Sequence, residues 1–145
     1  MCIRDSLQTR FTLDPRNAGH WTLKTEHEGY TAGYFLEAAI AHFLMTNKTD
    51  HRMYDAAKRL ADCWDANIGP APKKSWYDGH EEMEQALVKF ARVVDDTEGP
   101  GRGDRYVKLS KFLLDCRKNG DAYDQTQAPV VAQYEACLLY TSRCV

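Results

Sequence analysis

Long uninterrupted apolar runs are missing from this 145-residue chain. The longest candidate, "YFLEAAIAHFLM" at Tyr34–Met45, is broken by Glu37 and His42. It falls far short of the roughly 20 apolar residues that cross a bilayer, so it implies no membrane partner. An excess of positive charge is missing too: 19 Lys and Arg stand against 21 Asp and Glu, with no basic stripe. Without such a footprint nucleic acid is excluded as a partner. Five cysteines occur, but no CxxC spacing and no ladder of Cys and His ligands. No metal site can be assembled from that set. Strand-like alternation is absent outside short pieces such as "PVV", which excludes a sheet-based fold. No signal peptide is visible. Neither a compartment nor an oligomeric state is specified.

What is present begins with two unusual ends. "MCIRDS" at Met1–Ser6 and "CLLYTS" at Cys137–Ser142 can be encoded by strings that are reverse complements. With one preceding base from the Ala136 codon, the match extends over roughly seventeen bases, the pattern of a transposase adaptor used in sequencing libraries. Residues 1–6 and 137–145 are therefore expected to be adaptor-derived, leaving Leu7–Ala136 as a fragment of a longer product. Setting the ends aside lowers Lys and Arg to 17 and Asp and Glu to 20, a net charge of −3. It also leaves two cysteines, Cys63 and Cys116, read as half-buried helix residues in preference to a disulfide or metal role.

Four segments carry helical periodicity. Ala32, Phe35, Leu36, Ala39, Ile40, Phe43 and Leu44 follow the i, i+3, i+4, i+7 rule. A polar turn at Asn47–Asp50 leads to a second helix over about His51–Asn67, stopped by Gly69-Pro70. A third is expected over about His80–Asp95, with Asp78-Gly79 as its N-cap region and Glu81 and Glu82 suiting the helix dipole. A fourth is expected over about Asp104–Lys118, ended by Asn119-Gly120.

These segments pair into two copies. "EAAIAHF" at Glu37–Phe43 matches "EQALVKF" at Glu84–Phe90, an offset of 47. "AAKRLADC" at Ala56–Cys63 matches "LSKFLLDC" at Leu109–Cys116, an offset of 53, the extra residues falling in "DDTEGPGRGD". A helical hairpin repeating about every fifty residues means a solenoid or a closed toroid. The fold class is all-α, with about two and a half hairpins and apolar exposed ends.

Three stretches then stand together: "EHEGYTAGYFLEAAIAHF" at Glu26–Phe43, "YDGHEEMEQALVKF" at Tyr77–Phe90 and "YDQTQAPVVAQYEA" at Tyr123–Ala136. Their order and spacing resemble glycoside hydrolase family 127, the β-L-arabinofuranosidase-like enzymes with an (α/α)6 toroid. The resemblance covers nearly all of Leu7–Ala136. It implies a partial toroid from a glycosidase acting on non-reducing-end β-L-arabinofuranosides or a related plant glycan, with carbohydrate as the partner. It implies zinc in the full-length parent, bound through a cysteine nucleophile, with a glutamate acid/base. Both fall downstream of Ala136 on the family's pattern. No catalytic residue, metal ligand or cofactor is therefore assigned within this fragment, which is expected to be inactive alone.

The resemblance assigns His27 and His80 to hydrogen bonds with sugar hydroxyls. Each lies at or just before the first helix of a hairpin, and in a toroid those starts gather around the central cavity. Trp76 and Tyr77, in the loop before His80, are candidates for the cavity rim. His20 and Trp21 offer either a stacking wall or a packed core tryptophan, and His42 and His51 are structural. Glu37 and Glu84 sit at equivalent repeat positions and read as structural hydrogen-bond partners. Tyr34, Gln127 and Ala132 depart from the family pattern, where histidine, histidine and glutamate are usual, and leave the exact sugar open. Two alternatives stand beside this reading. One is a non-catalytic helical-repeat scaffold that binds a protein. It explains the hairpins, but neither the histidines at successive hairpin starts nor the "PVVAQ" interruption. The other is a different toroid glycosidase or lyase family.

Overall fold

The computed structural model describes residues 20–22, 24 and 27–119. Both expected adaptor segments, the Tyr123–Ala136 stretch with Gln127 and Ala132, and the expected half hairpin lie outside the described residues. Within them are four helices: α1 (Glu28–Met45), α2 (Arg52–Asn67), α3 (Glu82–Glu98) and α4 (Asp104–Asn119). The only pairing of extended backbone among the described residues is an isolated bridge between Ile68 and Lys74. No helix among them is long and apolar enough to cross a membrane.

The apolar spacing decides which face each helix buries. α1 buries Ala32, Leu36, Ala39 and Phe43; α2 buries Tyr54, Ala57, Leu60, Ala61 and Trp64. α3 buries Met83, Ala86, Leu87, Phe90, Ala91, Val93 and Val94, and α4 buries Tyr106, Leu109 and Leu113. Each fully buried Leu or Phe is worth about 1.5–3 kcal/mol over an exposed one. Aromatic contacts join the layers. Phe43 stacks on Tyr54 at 4.5 Å, and Phe90 meets Tyr54 at 5.6 Å and Tyr106 at 5.5 Å. Leu44, expected on the buried stripe, is half exposed, and Met45 beside it is more so. They lie in the last turn of α1, on the side away from the buried Phe43.

Two hairpins, α1–α2 and α3–α4, stand side by side, with α1 against α3 and α2 touching α4. The contacts set direction. Gly33 of α1 meets the start of α3, and Glu37 further along α1 accepts from Lys89 at 2.6 Å. α1 and α3 therefore run the same way, as the first helices of adjacent repeats must when the chain returns through the second. In α3–α4, Ser110 donates to the Glu84 carbonyl while Gly103 lies under Ala91, so that pair runs antiparallel.

Glycine permits the closest approaches. A Cβ on Gly33 would stand 2.5 Å from the Glu82 carbonyl carbon, and one on Gly103 would stand 2.2 Å from the Ala91 oxygen. Those atoms are backbone and cannot move aside without separating the helices.

Two boundaries shift from expectation. α3 begins at Glu82 rather than near His80, because the His80 N–H is taken by the Asp78 side chain at 3.1 Å. Such a local turn competes with helix. α3 also runs three residues past Asp95, to Glu98. Cys116 is a free half-buried thiol, as expected, whereas Cys63 is disulfide-bonded, contrary to its reading.

Gly33→Ala is expected to lower unfolding stability by about 1–3 kcal/mol through overpacking against α3. Tyr34→Ala, one residue on but 54% exposed, should cost under about 0.5 kcal/mol. Urea denaturation followed by circular dichroism compares them. Equal effects would rule out the close-approach account.

Candidate functional site

The parallel course of α1 and α3 brings two helix starts together. His27 is the N-cap of α1, and His80 stands two residues before α3. Their rings lie 5.0 Å apart, inclined by 37°. Tyr30, one turn into α1, is 5.9 Å from His27, 5.3 Å from His80 and 4.7 Å from Tyr34. The four rings form a continuous face that ranges from half-buried at His80 to exposed at His27, Tyr30 and Tyr34. A hydrogen bond with Tyr30, and then its charge, burial and the nearby Glu82 and Glu37 carboxylates, push the Tyr34 phenol above its ordinary value. Glu82 lies at the same end, and its Oε2 is buried with no hydrogen-bond partner among the described residues.

His27 holds a left-handed backbone, φ 59° and ψ 30°, an uncommon conformation for a residue with a Cβ. It offers no side-chain cap to its own helix. The missing cap comes from the other repeat. Asp78 is buried, and its Oδ2 accepts the Gly29 N–H at 2.5 Å while its Oδ1 accepts the His80 N–H. The Asp78-Gly79 region was expected to cap α3. Instead its carboxylate caps α1, and Glu81, the N-cap of α3, makes no side-chain cap. Gly29 makes this possible, because a Cβ there would stand 2.7 Å from the Asp78 Cβ.

The rest of the loop is held from beneath. The Gly79 N–H donates to the Lys24 carbonyl at 3.1 Å. Arg117 of α4 donates to the carbonyls of Gly79 at 3.4 Å and His80 at 2.9 Å, and to Glu84 Oε1 at 3.0 Å. Arg117 and Glu84 are 1% and 2% exposed. Glu84 Oε2 and Arg117 Nε have no partner among the described residues, so the pair is joined through one oxygen only. Burial therefore outweighs the pull of Arg117 and pushes the Glu84 carboxyl up to about 7.

The remaining candidates lie deeper. Trp76 is 5% exposed and packs edge-on to Trp64 at 5.7 Å. Tyr77 is 4% exposed, with Lys24 Nζ 3.8 Å and the Arg117 guanidinium 5.2 Å over its ring. The structure thus brings His27 and His80 together and puts Trp76 and Tyr77 in the core behind them. Trp21 is a packed tryptophan, 5.9 Å from Trp64, and Glu28 accepts from the Trp21 backbone N–H and pairs with His20 at 2.5 Å. His42 stands 3.6 Å from Asp50, and His51 packs on Phe43. Glu37 pairs with Lys89 at the surface, so the two repeat-related glutamates are both ion-paired but in opposite surroundings.

Tyr30 and Arg117 were not singled out from sequence, and Asp78 and Glu82 were read only as cap and first-turn residues of α3. The signal for Asp78 and Gly29 was their place inside the two quoted motifs, one before each helix core. No sequence rule pairs residues 49 apart.

The arrangement suits a polyhydroxylated ligand. In its neutral form an imidazole offers one donor and one acceptor, and two of them side by side match vicinal hydroxyls. Tyrosine rings add apolar faces with a polar tip. Among the described residues no three His, Cys, Asp or Glu side chains gather as metal ligands. They do not fit the zinc implied for the parent, and no chemistry here runs through it.

Two helical hairpins thus stand side by side with a histidine–tyrosine face at their starts. The family described as "Beta-L-arabinofuranosidase, GH127 catalytic domain" matches residues 6–137, and the chain belongs to that family. It is 36% identical over 96 residues to a "Non-reducing end beta-L-arabinofuranosidase" of Bifidobacterium longum subsp. longum, covering 66% of this chain and 13% of that protein. It is also similar to the crystal structure of Ara127N, a GH127 β-L-arabinofuranosidase from Geobacillus stearothermophilus T6. That match has a TM-score of 0.62 and 29% identity, over 88% of this chain and 18% of the other. The chain therefore spans under a fifth of these relatives. Its four described helices are part of an (α/α)6 toroid, and the separate helical-repeat scaffold reading is not favoured.

Glu84 generates a pH prediction. A carboxyl raised from 4.5 to about 7 on folding takes up a proton in the folded state. Its contribution is fully present below pH 4.5 and is lost as the pH rises through about 7. Glu84→Gln should flatten the fall in stability across that window, measured by urea midpoints at several pH values. A parallel slope in the variant would show that Glu84 does not titrate there.

Proposed function

We propose that this chain forms part of the barrel wall and sugar-binding rim of a glycosidase that releases non-reducing-end β-L-arabinofuranose, or acts on a related plant-glycan linkage. The observation that carries the reading is the His27–His80 pair, 5.0 Å apart at the starts of parallel helices. In this proposal both imidazoles bind sugar hydroxyls, and Tyr30 and Tyr34 offer ring faces to the C–H side of the sugar. Trp76 and Tyr77 support the loop that carries His80 from behind. The names of both relatives point to the same sugar and support this substrate class. The nucleophile, acid/base and zinc of the parent belong to residues beyond this chain, so the wall binds and orients without performing the bond cleavage.

Titration with methyl β-L-arabinofuranoside, followed by histidine-selective NMR, should shift the ring signals of His27 and His80 and leave His42 and His51 in place. No response of either ring at tens of millimolar would sink the proposal. The same chain should release no p-nitrophenol from p-nitrophenyl β-L-arabinofuranoside, and turnover by the purified chain would place the catalytic groups inside it.

A further inference from the structure

We infer that Asp78 is a positioning residue for the histidine pair: its one carboxylate sets both helix starts and thereby fixes the separation of His27 and His80. The inference rests on the sugar-site reading only for its purpose, since the positioning can be measured without sugar.

Asp78 is 2% exposed, so its charge must be met by hydrogen bonds. Both oxygens are used, and on different repeats. Oδ2 takes the N–H of Gly29, one of the donors that the first turn of a helix leaves unpaired. Oδ1 takes the N–H of His80 itself. The two amides belong to backbones on either side of the ring pair, two residues after His27 and at His80. The carboxylate thus bonds both imidazole-bearing segments directly.

The link has no slack. Gly29 lies against the Asp78 Cβ so closely that no other residue fits there, and the Gly79 N–H and both flanking carbonyls are held by Lys24 and Arg117. Arg117 and the Lys24 carbonyl hold the loop from beneath, whereas the Asp78 carboxylate bonds it to the first turn of α1. The left-handed backbone of His27 is the other half of the arrangement. It directs the chain into α1 one residue before the capped turn, and its carbonyl accepts the Thr31 N–H at 3.0 Å. The Asp78 cap adds to the Gly33–Glu82 backbone contact a bond made at the helix start itself, two residues from His27. Asp78 touches neither ring face, so it acts through the histidines rather than on a ligand.

The test uses this chain, without sugar. In wild type the Gly29 amide should sit downfield, as a charge-assisted bond requires, and nuclear Overhauser effects should connect the His27 and His80 rings. Asp78→Ala should move the Gly29 amide upfield and abolish the ring-to-ring effects, while those between Phe43 and Tyr54 persist. Asp78→Asn, which keeps an acceptor without the charge, should keep the ring contact and move the amide part of the way. Ring contacts that survive in Asp78→Ala overturn the inference. Should that variant not fold, Asp78→Asn decides: an unmoved Gly29 amide overturns it. Wild-type rings that meet as described yet ignore methyl β-L-arabinofuranoside would refute the sugar reading and leave the positioning role standing.

Discussion

A carboxylate in one repeat closes the helix start of another, and the site depends on that closure. Asp78 reaches Gly29 only because α1 and α3 approach through glycine, at Gly29 and again at Gly33. The two contacts occur one helical turn apart on the same stripe of α1. They set the helices parallel and in register, which brings the His27 and His80 backbones to the same end. A larger residue at either glycine separates the helices before it disturbs any side chain of the ring cluster.

Beneath that contact a buried ion pair does different work. Arg117 spends its donors on the carbonyls of Gly79 and His80 as much as on Glu84. These carbonyls precede α3 and point into the core, where an unmet acceptor costs about 1–3 kcal/mol. Glu84 supplies the counter-charge, though with one oxygen unpaired. Such a pair is weak evidence for stability and better understood as a means of satisfying a loop whose shape is needed. The cations over Tyr77 extend the same support, since the ring is a floor for both Lys24 and Arg117.

Much of this was legible in the sequence, and the reasons differ by level. The four helices followed from apolar spacing, because one face of each must be buried and the residues on it are simply countable. The repeat offset of 47 anticipated that α1 and α3 are equivalent, hence that His27 and His80 occupy the same end. It did not anticipate how Glu37 and Glu84 diverge. Equivalent positions in a repeat share backbone but not neighbours: Glu84 faces α4, which lies behind α3, while Glu37 faces Lys89 at the surface. The reading of Asp78 as the cap of α3 failed for a related reason. Capping rules look along the chain, and Asp78 serves a helix 49 residues earlier. Trp76 and Tyr77 illustrate the limit of composition, since an aromatic pair in a loop reads the same whether it lines a rim or fills the floor beneath it.

On the proposed sugar-binding role, the physical demand of a sugar accounts for the placing of such support. Hydroxyls exchange one set of hydrogen bonds with water for another with the protein, so the net gain per bond is about 0.5–1.5 kcal/mol. That margin disappears when the protein groups must be ordered on binding, at about 0.5–1.5 kcal/mol for each rotamer-rich side chain. Groups already fixed avoid the cost. Here His80 is fixed at both its N–H and its carbonyl, by Asp78 and Arg117, and His27 is fixed by its backbone conformation and the helix that follows. Tyr30 and Tyr34 project from the same rigid helix. The exposed face is held by three buried charged side chains, Asp78 of the loop, Glu84 of α3 and Arg117 of α4. Most of the contacts that order this face are internal to the two repeats, so the face forms from the described helices and the loop before α3.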